Sequence, residues 1–258
     1  DENNVYISNA EGLAWLSSVM NKLNGNSTDF IPNKIILTSD IDLSAYRWTS
    51  IVSFSECNSV FEGNGHTIKG LYCNENANEQ GLFGSICCTI QNVIFAESSI
   101  RGLLYNGTIA GRSWGTSTIR NCIVNGEVIG VQDNGGICGE KYGDVINSAF
   151  VGMVDTRYDV SITNCYHGFL GGIAATGFSN VVNSYVAGEI SESAFSGIVT
   201  SMGVLVSNCY YKSYSTSLPI TDDGTNTANI SSFSGSGTTW TLNAPPYING
   251  AFWTDLVD

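Results

Sequence analysis

Two aspartates in the stretch DIDLSAYRW, Asp40 and Asp42, have the spacing that glycoside hydrolysis would need. Residues two apart on a β-strand lie on the same face, so their carboxylates would be neighbours. Such enzymes place an acid and a base or nucleophile about 5 to 9.5 Å apart. A non-catalytic interpretation competes with this one. In it, each aspartate bonds the main chain at a corner, and this is the interpretation that we favour.

The other acidic residues make weaker candidates for catalysis. A polysaccharide lyase would need a basic residue beside acids that hold calcium, and Arg157 lies between Asp155 and Asp159. We expect an exposed loop there instead. Three further acids fall in separate apparent turns: Asp133, Glu140 and Asp144.

The two histidines, His66 and His167, lack the sequence context of hydrolytic or metal sites. His66 sits inside the turn sequence GNGHTI, and no G-x-S-x-G nucleophile motif occurs. No C-x-x-C pair occurs either, which leaves zinc sites of the usual spacing without support. The sequence therefore predicts a non-enzymatic protein with no catalytic residue, no metal site and no cofactor.

The composition indicates a β-rich extracellular protein. Charged residues make up 13% of the 258 positions, against about 25% in ordinary soluble domains. The hydrophobic fraction of 43% is high enough to oppose disorder. The net charge of −13 is spread along the chain, and lysines and arginines form no cluster. We therefore expect no nucleic acid and no anionic lipid among the partners.

The start of the sequence and its apolar runs bear on location. The longest apolar stretches are far shorter than the roughly 20 residues that a membrane-spanning helix needs. The sequence begins DENN, without Met, which suggests a removed signal peptide or lipoprotein leader. We expect an extracellular or outer-membrane, surface-anchored location. Eight cysteines would fit a disulfide framework, and their pairing stays open.

A repeated pattern, Ile or Val followed two positions later by Asn, is the strongest signal in the chain. The intervals between successive asparagines average about 23 residues, the scale of one solenoid turn. A glycine-rich pattern precedes each unit but one, as in GLFG, GTIAG and GGICG. The six asparagines are Asn92, Asn121, Asn147, Asn164, Asn183 and Asn208.

Glycine and proline usage selects strands over helices for these repeats. Dense glycine is hostile to helix interiors, and no proline occurs between Asn33 and Leu218. The sequence therefore predicts an all-β protein, a right-handed parallel β-helix. At each corner an Asn in left-handed conformation would bond the Asn of the next coil, forming a ladder.

The residues after each Asn form two further columns. The first contains Cys122, Cys165 and Cys209 among small residues, and we expect it to face inward. The next contains tyrosines, and neighbours on a strand face opposite sides. Exposed aromatic stripes bind sugars and proteins. Tyr166, Tyr185, Tyr210 and Tyr211 are therefore the candidate binding residues. The alternative, an aromatic stack that is buried or covers an edge, stays open, because the sequence does not settle which of the two columns faces inward.

The two ends are expected to close the solenoid. Leu13, Leu16, Met20 and Leu23 recur at helical spacing after a capping-box pattern at Ser8, which predicts an amphipathic helix over the first coil. The character of the chain changes again after Leu218. We expect one continuous domain in three parts: a capping-helix region at 1–33, the β-helix at 34–215, and a C-terminal loop and capping segment at 216–258.

From Asp40 onward the order of signatures resembles that of the GLUG-motif bacterial surface proteins. These signatures are DIDLSAYRWTSI, FEGNGHTIKGLY, GLFG and repeated I-x-N-C-Y units, together covering roughly residues 34–215. The family, named for a Gly-Leu-x-Gly repeat, occurs notably in Bacteroides-like bacteria. The resemblance implies an adhesin-like solenoid anchored at the cell surface, and it carries over no catalytic residue. One unit departs from the pattern, reading GGIAA.

We therefore predict a cell-surface or secreted module that binds a host or dietary glycan or a surface protein. Two alternatives stay open. The first is a carbohydrate-active enzyme, either a lyase or a glycoside hydrolase, on the same fold. The second is a structural spacer that holds another domain away from the membrane.

Overall fold

Short runs of β-branched residues, broken by Asn and Gly, form the strands of a parallel β-helix in the computed structural model. Each coil contributes strands to three sheets, A, B and C, and every strand pair is parallel. The fold predicted from the repeats is confirmed. The structure describes residues 3–23, 32–54, 59–156, 169–190, 198–201, 206–207, 209–212, 227–228 and 231–233.

The sheets have nine, twelve and six strands. Sheet A contains β1 (Asn4–Ile7), β2 (Lys34–Leu37), β5 (Val60–Glu62), β9 (Thr89–Gln91), β12 (Thr118–Arg120), β15 (Asp144–Ile146), β20 (Val181–Val182), β24 (Val206–Ser207) and β26 (Thr227–Ala228). Sheet B contains β3 (Ile41–Asp42), β6 (Thr67–Lys69), β7 (Tyr72–Asn74), β10 (Ile94–Asn106), β13 (Ile123–Gly135), β16 (Ala149–Phe150), β17 (Met153–Thr156), β18 (Leu170–Gly171), β21 (Tyr185–Val186), β22 (Glu189–Ile190), β25 (Tyr210–Lys212) and β27 (Ser231–Phe233). Sheet C contains β4 (Ile51–Phe54), β8 (Phe83–Ile86), β11 (Ala110–Ser113), β14 (Cys138–Lys141), β19 (Ala174–Gly177) and β23 (Val199–Ser201).

Columns of buried apolar side chains, one from each sheet, fill the interior. Burying each such side chain contributes about 1.5–3 kcal/mol, so the stacked columns supply the main favourable term in folding. The column of sheet A is Ile35, Phe61, Ile90, Ile119, Val145, Val181 and Val206. The column of sheet B is Ile41, Ile68, Phe95, Val124, Phe150 and Val186. The column of sheet C is Ile51, Phe83, Ala110, Cys138, Ala174 and Val199.

The coils are longer and less even than the asparagine spacing predicts. Strand β15 pairs directly with β20, Val145 opposite Val181, so this coil takes 36 residues. Asn164 falls between them, outside the described residues, and the pairing leaves no coil of its own for it. The prediction of six equivalent corners is therefore wrong, because it counted one repeat too many within this long coil.

The predicted asparagine ladder is confirmed at three consecutive corners. Asn92, Asn121 and Asn147 all have left-handed backbones, with φ of 56°, 53° and 45°. The Asn147 amide donates to Asn121 Oδ1 at 3.4 Å, and the Asn121 amide donates to Asn92 Oδ1 at 3.0 Å. Asn183 shares the conformation, with φ of 50°. Each side chain therefore fastens one coil to the next.

The ladder ends on a carboxylate. Asn92 Nδ2 donates to Glu62 Oε1 at 2.9 Å, and Gln91 and Lys34 also contact this carboxylate. Burial raises the pKa of Glu62, but the hydrogen bonds from Gln91 and Asn92 outweigh it, so the pKa lies below its usual value. Glu62 is therefore ionised, and its carboxylate accepts the hydrogen bond from the last amide of the ladder.

Both columns that follow the asparagines are buried, although they alternate along the chain. Cys122, Ser148, Ser184 and Cys209 face inward, as predicted. Ile123 and Ala149 in the next column are buried as well. The left-handed Asn bends the chain just before them, so the simple alternation of a straight strand does not hold across this corner.

Glycines recur before and within sheet C because main chain from the neighbouring coil approaches them closely. A Cβ on Gly111 would collide with the main chain of Glu79, and one on Gly107 would meet the main chain of Cys138. The corners that precede β8, β11, β14 and β19 therefore leave no room for a side chain. This is the physical basis of the G-x-I-x-G pattern.

A helix, α1 (Ala10–Leu23), closes the N-terminal end as predicted. Leu13, Leu16 and Met20 lie on its buried face. The predicted cap residue is wrong, because Asn9, and not Ser8, accepts the hydrogen bond from the Gly12 amide at 2.9 Å. The region also contains a strand that the sequence did not predict, since β1 precedes the helix and pairs with β2.

The helix satisfies the edge of the first strand of sheet C. Asn21 Oδ1 accepts from the Val52 amide at 2.7 Å, and Asn21 Nδ2 donates to the Ser50 carbonyl at 3.1 Å. Ser17 donates to the Thr49 carbonyl at 3.2 Å. One amide side chain thus replaces a missing strand at this edge, which would otherwise be open to pairing with another chain.

The β-structure extends beyond the predicted limits at both ends. At the start, β1 joins sheet A ahead of residue 34. Later in the chain, β26 and β27 pair with β24 and β25, past residue 215. The rest of the predicted C-terminal capping segment lies outside the described residues.

Substitutions at Asn121 should separate the two contributions of the ladder. Asn121→Gly keeps the left-handed backbone and loses two amide hydrogen bonds, so we expect a loss of about 1–2 kcal/mol in the free energy of unfolding. Asn121→Ala adds the cost of a left-handed backbone, and we expect about 1–2 kcal/mol more. Urea titrations of both variants measure the difference. Equal losses would show that the backbone conformation is not under strain.

Candidate functional site

One member of the predicted stripe of surface tyrosines, Tyr185, is buried. Tyr185 is 1% exposed, and burial raises the pKa of its hydroxyl. It pairs with Ala149 on one side and Tyr210 on the other, so Tyr166 is not its neighbour in the column. The expectation of an outward Tyr185 is wrong because the left-handed Asn183 turns the following strand into the core.

The remaining predicted tyrosines are described only in part. Tyr166 lies outside the described residues. Tyr210 and Tyr211 belong to β25, and their side chains also lie outside the described part of the structure. Their assignment as binding residues stays a prediction.

Asp40 and Asp42 hold corners. Asp40 Oδ1 accepts from the Thr67 amide at 2.9 Å and lies 3.2 Å from His66 Nδ1. Asp42 Oδ1 accepts from the Ser44 amide at 2.9 Å. The hydrogen bond from the Thr67 main chain lowers the pKa of Asp40, and the bonds from Ser44 lower that of Asp42. The corner-bonding interpretation is confirmed for both aspartates and accounts for His66.

An exposed aromatic column lies along one side of sheet C. Trp114, Tyr142 and Phe178 directly follow β11, β14 and β19. The ring centroids are 5.0 Å apart at both steps, with interplanar angles of 12° and 18°. Trp114 is 40% and Phe178 52% exposed. Parallel pairing in register puts one ring from each of three coils on a line parallel to the solenoid axis.

Arg112 extends this stack in the other direction. Its guanidinium carbon lies 4.5 Å from the Trp114 ring centroid and 4.3 Å from that of Tyr105. Its nitrogens pair with Glu140, directly opposite on β14, and with Glu79 Oε1 at 3.3 Å. The guanidinium is thus held between two rings and two carboxylates.

We call the five stacked groups, Tyr105, Arg112, Trp114, Tyr142 and Phe178, the stacked column. Because Tyr142 stacks with rings on both sides and Trp114 is contacted by Tyr142 and Arg112, solvent reaches these two rings mainly at their edges. Ring edges carry the positive part of the aromatic quadrupole. The column therefore presents an apolar ridge, with weakly positive edges, beside a closed ion-pair cluster.

Two acids that the sequence placed in separate turns come close to this cluster. Tyr142 donates to Glu140 Oε1 at 3.3 Å, and Asp133 accepts from the Phe169 amide at 3.1 Å. Burial raises the pKa of Asp133, and the charge of Glu140 raises it further. Asp144 lies apart from them and accepts from the Asn180 amide at 2.9 Å.

The sequence contains a signal for the stacked column in the spacing of the rings from the glycine pattern. Each ring stands three positions after the second small residue of the glycine pattern: Trp114 after Gly111, Tyr142 after Gly139, and Phe178 after Ala175. Aligning the repeats on that glycine brings the three rings into one column. Alignment on Asn brings out a different column, in which Tyr185 is turned inward.

Lys141 follows Glu140 and is fully buried. Its ammonium group donates to the carbonyls of Ser179 and Gly143, and Ser113 and Gly177 occupy the paired positions beside it. Burial lowers the pKa of Lys141 to about 7, although the charge of Asp144 opposes the shift. Small neighbours thus make room for a long side chain, at the cost of desolvating its charge.

The cysteines fall into two groups. Cys87 is disulfide-bonded. Five others are buried and form no disulfide: Cys73, Cys88, Cys122, Cys138 and Cys209. The partner of Cys87 therefore lies outside the described residues. Burial raises the pKa of the Cys122 and Cys138 thiols to about 12, which agrees with the predicted packing role.

No group of acids, histidines and cysteines suited to a metal ion occurs among the described residues. In the same part of the chain, no helix has both the length and the apolarity needed to cross a membrane. The lyase candidate is described only at Asp155, whose carboxylate accepts from the Thr156 amide at 2.8 Å. Arg157, Asp159 and His167 lie outside the described residues.

Comparison with known proteins yields one partial likeness. A stretch of 133 residues is 34% identical to Halomucin from Haloquadratum walsbyi, covering 46% of this chain. The chain spans only 1% of the length of that protein. No protein-family model matches the chain, and no solved structure matches it.

Replacing Lys141 should change how stability depends on pH. The folded pKa of about 7 lies below the unfolded value of 10.5, so between these values the unfolded chain binds the extra proton. The stability of the wild type should therefore rise with pH in this window, by at most about 1.4 kcal/mol per pH unit. Lys141→Met should be more stable at pH 7 and lack the rise.

Urea unfolding at pH 6, 7, 8 and 9 measures the effect, with Lys22→Met, at an exposed helix position, as the control. Titratable groups that act on Lys141 are the Asp144 carboxylate and the thiols of Cys138 and Cys209. Parallel pH profiles for the wild type and Lys141→Met would contradict a buried, titrating amine.

Removing the disulfide should lower stability. A disulfide constrains the unfolded chain and typically contributes about 2–4 kcal/mol, so Cys87→Ser should unfold at a lower temperature than the wild type. Adding reductant should lower the melting temperature of the wild type and leave that of Cys87→Ser unchanged. Equal sensitivity of both proteins to reductant would contradict a stabilising bond at Cys87.

Proposed function

We propose that this protein is a non-enzymatic, adhesin-like module that binds a glycan or protein partner along the outer side of sheet C. The observation that carries the proposal is the exposed row of rings from three consecutive coils. Aromatic side chains supply large contact area at low cost in conformational entropy. The GLUG-like order of sequence signatures agrees with such a role.

The rigidity of this surface supports a binding role. Ring-to-ring and cation-to-ring contacts fix Trp114 and Tyr142 on both faces, and the Glu140 carboxylate holds the Tyr142 hydroxyl. Parallel strands fix the backbone beneath them. A surface already ordered before binding loses little entropy on association, which favours affinity.

We propose an extracellular or outer-membrane, surface-anchored location for the module. The disulfide at Cys87 supports an oxidising compartment. The low fraction of charged residues agrees with that setting, and so does the partial likeness to Halomucin, a protein named as a mucin.

Binding can be tested on arrays of glycans and of immobilised extracellular proteins. We expect the wild-type chain to bind at least one ligand class. The combined change Trp114→Ala, Tyr142→Ala and Phe178→Ala should weaken that binding at least about tenfold, since each aromatic contact contributes about 0.5–1.5 kcal/mol. Circular dichroism and melting curves check that the variant is folded.

The matched control replaces exposed aromatic residues elsewhere, with Tyr46→Ala and Tyr72→Ala. This variant should bind as the wild type does. A wild-type chain that binds nothing on either array would refute the proposal and favour the spacer alternative. Equal losses in both variants would place the binding surface away from the stacked column.

A carbohydrate-active enzyme is the second candidate, favoured by one observation. Asp133, whose pKa is raised by burial, lies near Glu140, and a pair of neighbouring carboxyl groups with one raised pKa is the arrangement that glycosidases use. The carboxylates are, however, already engaged by Phe169, Tyr142 and Arg112.

Cleavage of polysaccharides decides between the candidates. We expect no products from a broad panel of neutral and acidic polysaccharides. Products formed by the wild type and absent with Asp133→Asn or Glu140→Gln would establish the enzyme instead.

A further inference from the structure

The period of the stacked column restricts what kind of chain can lie along it. Its ring centroids repeat at 5.0 Å over two steps. An extended peptide advances about 3.3 Å per residue and shows one face a side chain about every 6.6 Å. A polyproline II chain advances about 3.1 Å per residue. Neither spacing matches the 5.0 Å repeat of the rings.

Pyranose chains linked through equatorial bonds have a different geometry. Each unit advances by one ring and one glycosidic oxygen along a nearly straight line, a length close to the ring spacing. Such a chain laid parallel to the solenoid axis would place one sugar beside each ring of the column. The match holds at every step because successive coils pair in register.

The charges around the column disfavour polyanionic ligands. Glu79 and Glu140 share the single positive charge of Arg112, and Asp133 accepts a main-chain hydrogen bond. These four side chains therefore offer a partner no unpaired cation, and their carboxyl groups outnumber the one guanidinium. The overall charge of −13 also repels polyanions. An uncharged ligand incurs neither desolvation of these ions nor repulsion.

The exposed edges of the rings suit a polyhydroxylated chain. Ring edges are the positive part of the quadrupole and attract oxygen lone pairs. Equatorial hydroxyl groups project sideways from a flat sugar chain and would meet these edges. The faces of Trp114 and Tyr142 are already covered by neighbouring stacked groups, so contact by face-to-face stacking is not available there.

From period, charge and ring orientation together, we propose that the stacked column binds a neutral, linear, equatorially linked polysaccharide, of the β-1,4-glucan or β-1,4-mannan type. The chain lies parallel to the solenoid axis, with one sugar unit per coil. This assignment rests on the proposed binding function and names the ligand class of the same surface.

Affinity electrophoresis of the full chain tests the ligand class. Native gels contain one of four polysaccharides: hydroxyethylcellulose, galactomannan, dextran or polygalacturonate. We expect retardation in the first two, which have neutral β-1,4 backbones. We expect none in dextran, which is neutral but has a different linkage, and none in polygalacturonate, which is a polyanion.

Calorimetry with cello-oligosaccharides of two to six units tests the one-sugar-per-coil arrangement. Affinity should increase by up to about tenfold per added unit until the three rings are covered, and then level off. Phe178→Leu should shift the plateau to shorter oligosaccharides, because it removes the last ring. The combined change Tyr46→Ala and Tyr72→Ala, at exposed aromatic residues outside the column, should bind as the wild type does.

The outcomes separate this inference from the proposed function. Retardation only in dextran or polygalacturonate, lost in the triple alanine variant, would overturn the ligand class and leave the binding function standing. Binding only to an immobilised protein, lost in the same variant, would also overturn the ligand class and leave the binding function standing. No binding of any kind that depends on the rings would overturn both.

Discussion

Pairing of like residues between successive parallel coils is the interaction on which the rest of this structure depends. Each residue lies about 4.8 Å from its equivalent in the next coil, so a property of one coil becomes a column along the molecule. Apolar residues become three core columns, asparagines become an amide ladder, and aromatic residues become the stacked column. This close approach requires glycine at several positions, because main chain from the neighbouring coil fills the space that a side chain would need.

The same constraint explains how the charges are distributed. A column of identical charges would repel itself at this spacing, and the structure instead alternates unlike partners. Arg112 lies opposite Glu140, and Arg101 pairs with Glu127 at 2.7 Å. The amide ladder ends on Glu62, which accepts a donor that would otherwise be unpaired. Lys141 is the exception, a charge inside the core, and its neighbours are small residues and main-chain carbonyls.

The fold could be predicted because it depends on local signals that repeat. The Asn and Gly patterns predicted the parallel sheets and the ladder, and the leucine spacing predicted α1. Three features could not be found in this way. Asn164 imitates a corner within a coil of 36 residues, and only strand pairing reveals that no coil begins there. The bend at Asn183 turns Tyr185 inward, against the alternation that a straight strand would have. The cap at Asn9 competes with a good capping-box pattern one residue earlier.

The exposed rings could have been predicted from the sequence, but only by aligning the repeats on the second glycine and not on asparagine.

The contact between α1 and the first strand of sheet C has a consequence for how such a chain could change in length. Asn21 matches the hydrogen-bonding groups of Ser50 and Val52, and of no repeated position elsewhere among the described residues. A duplicated coil inserted between the helix and this strand would separate that match and leave a bare edge. Coils copied from the middle of the solenoid would meet equivalent corners above and below. Growth by duplication is therefore directional: the helix end acts as a fixed origin, and new repeats accumulate away from it.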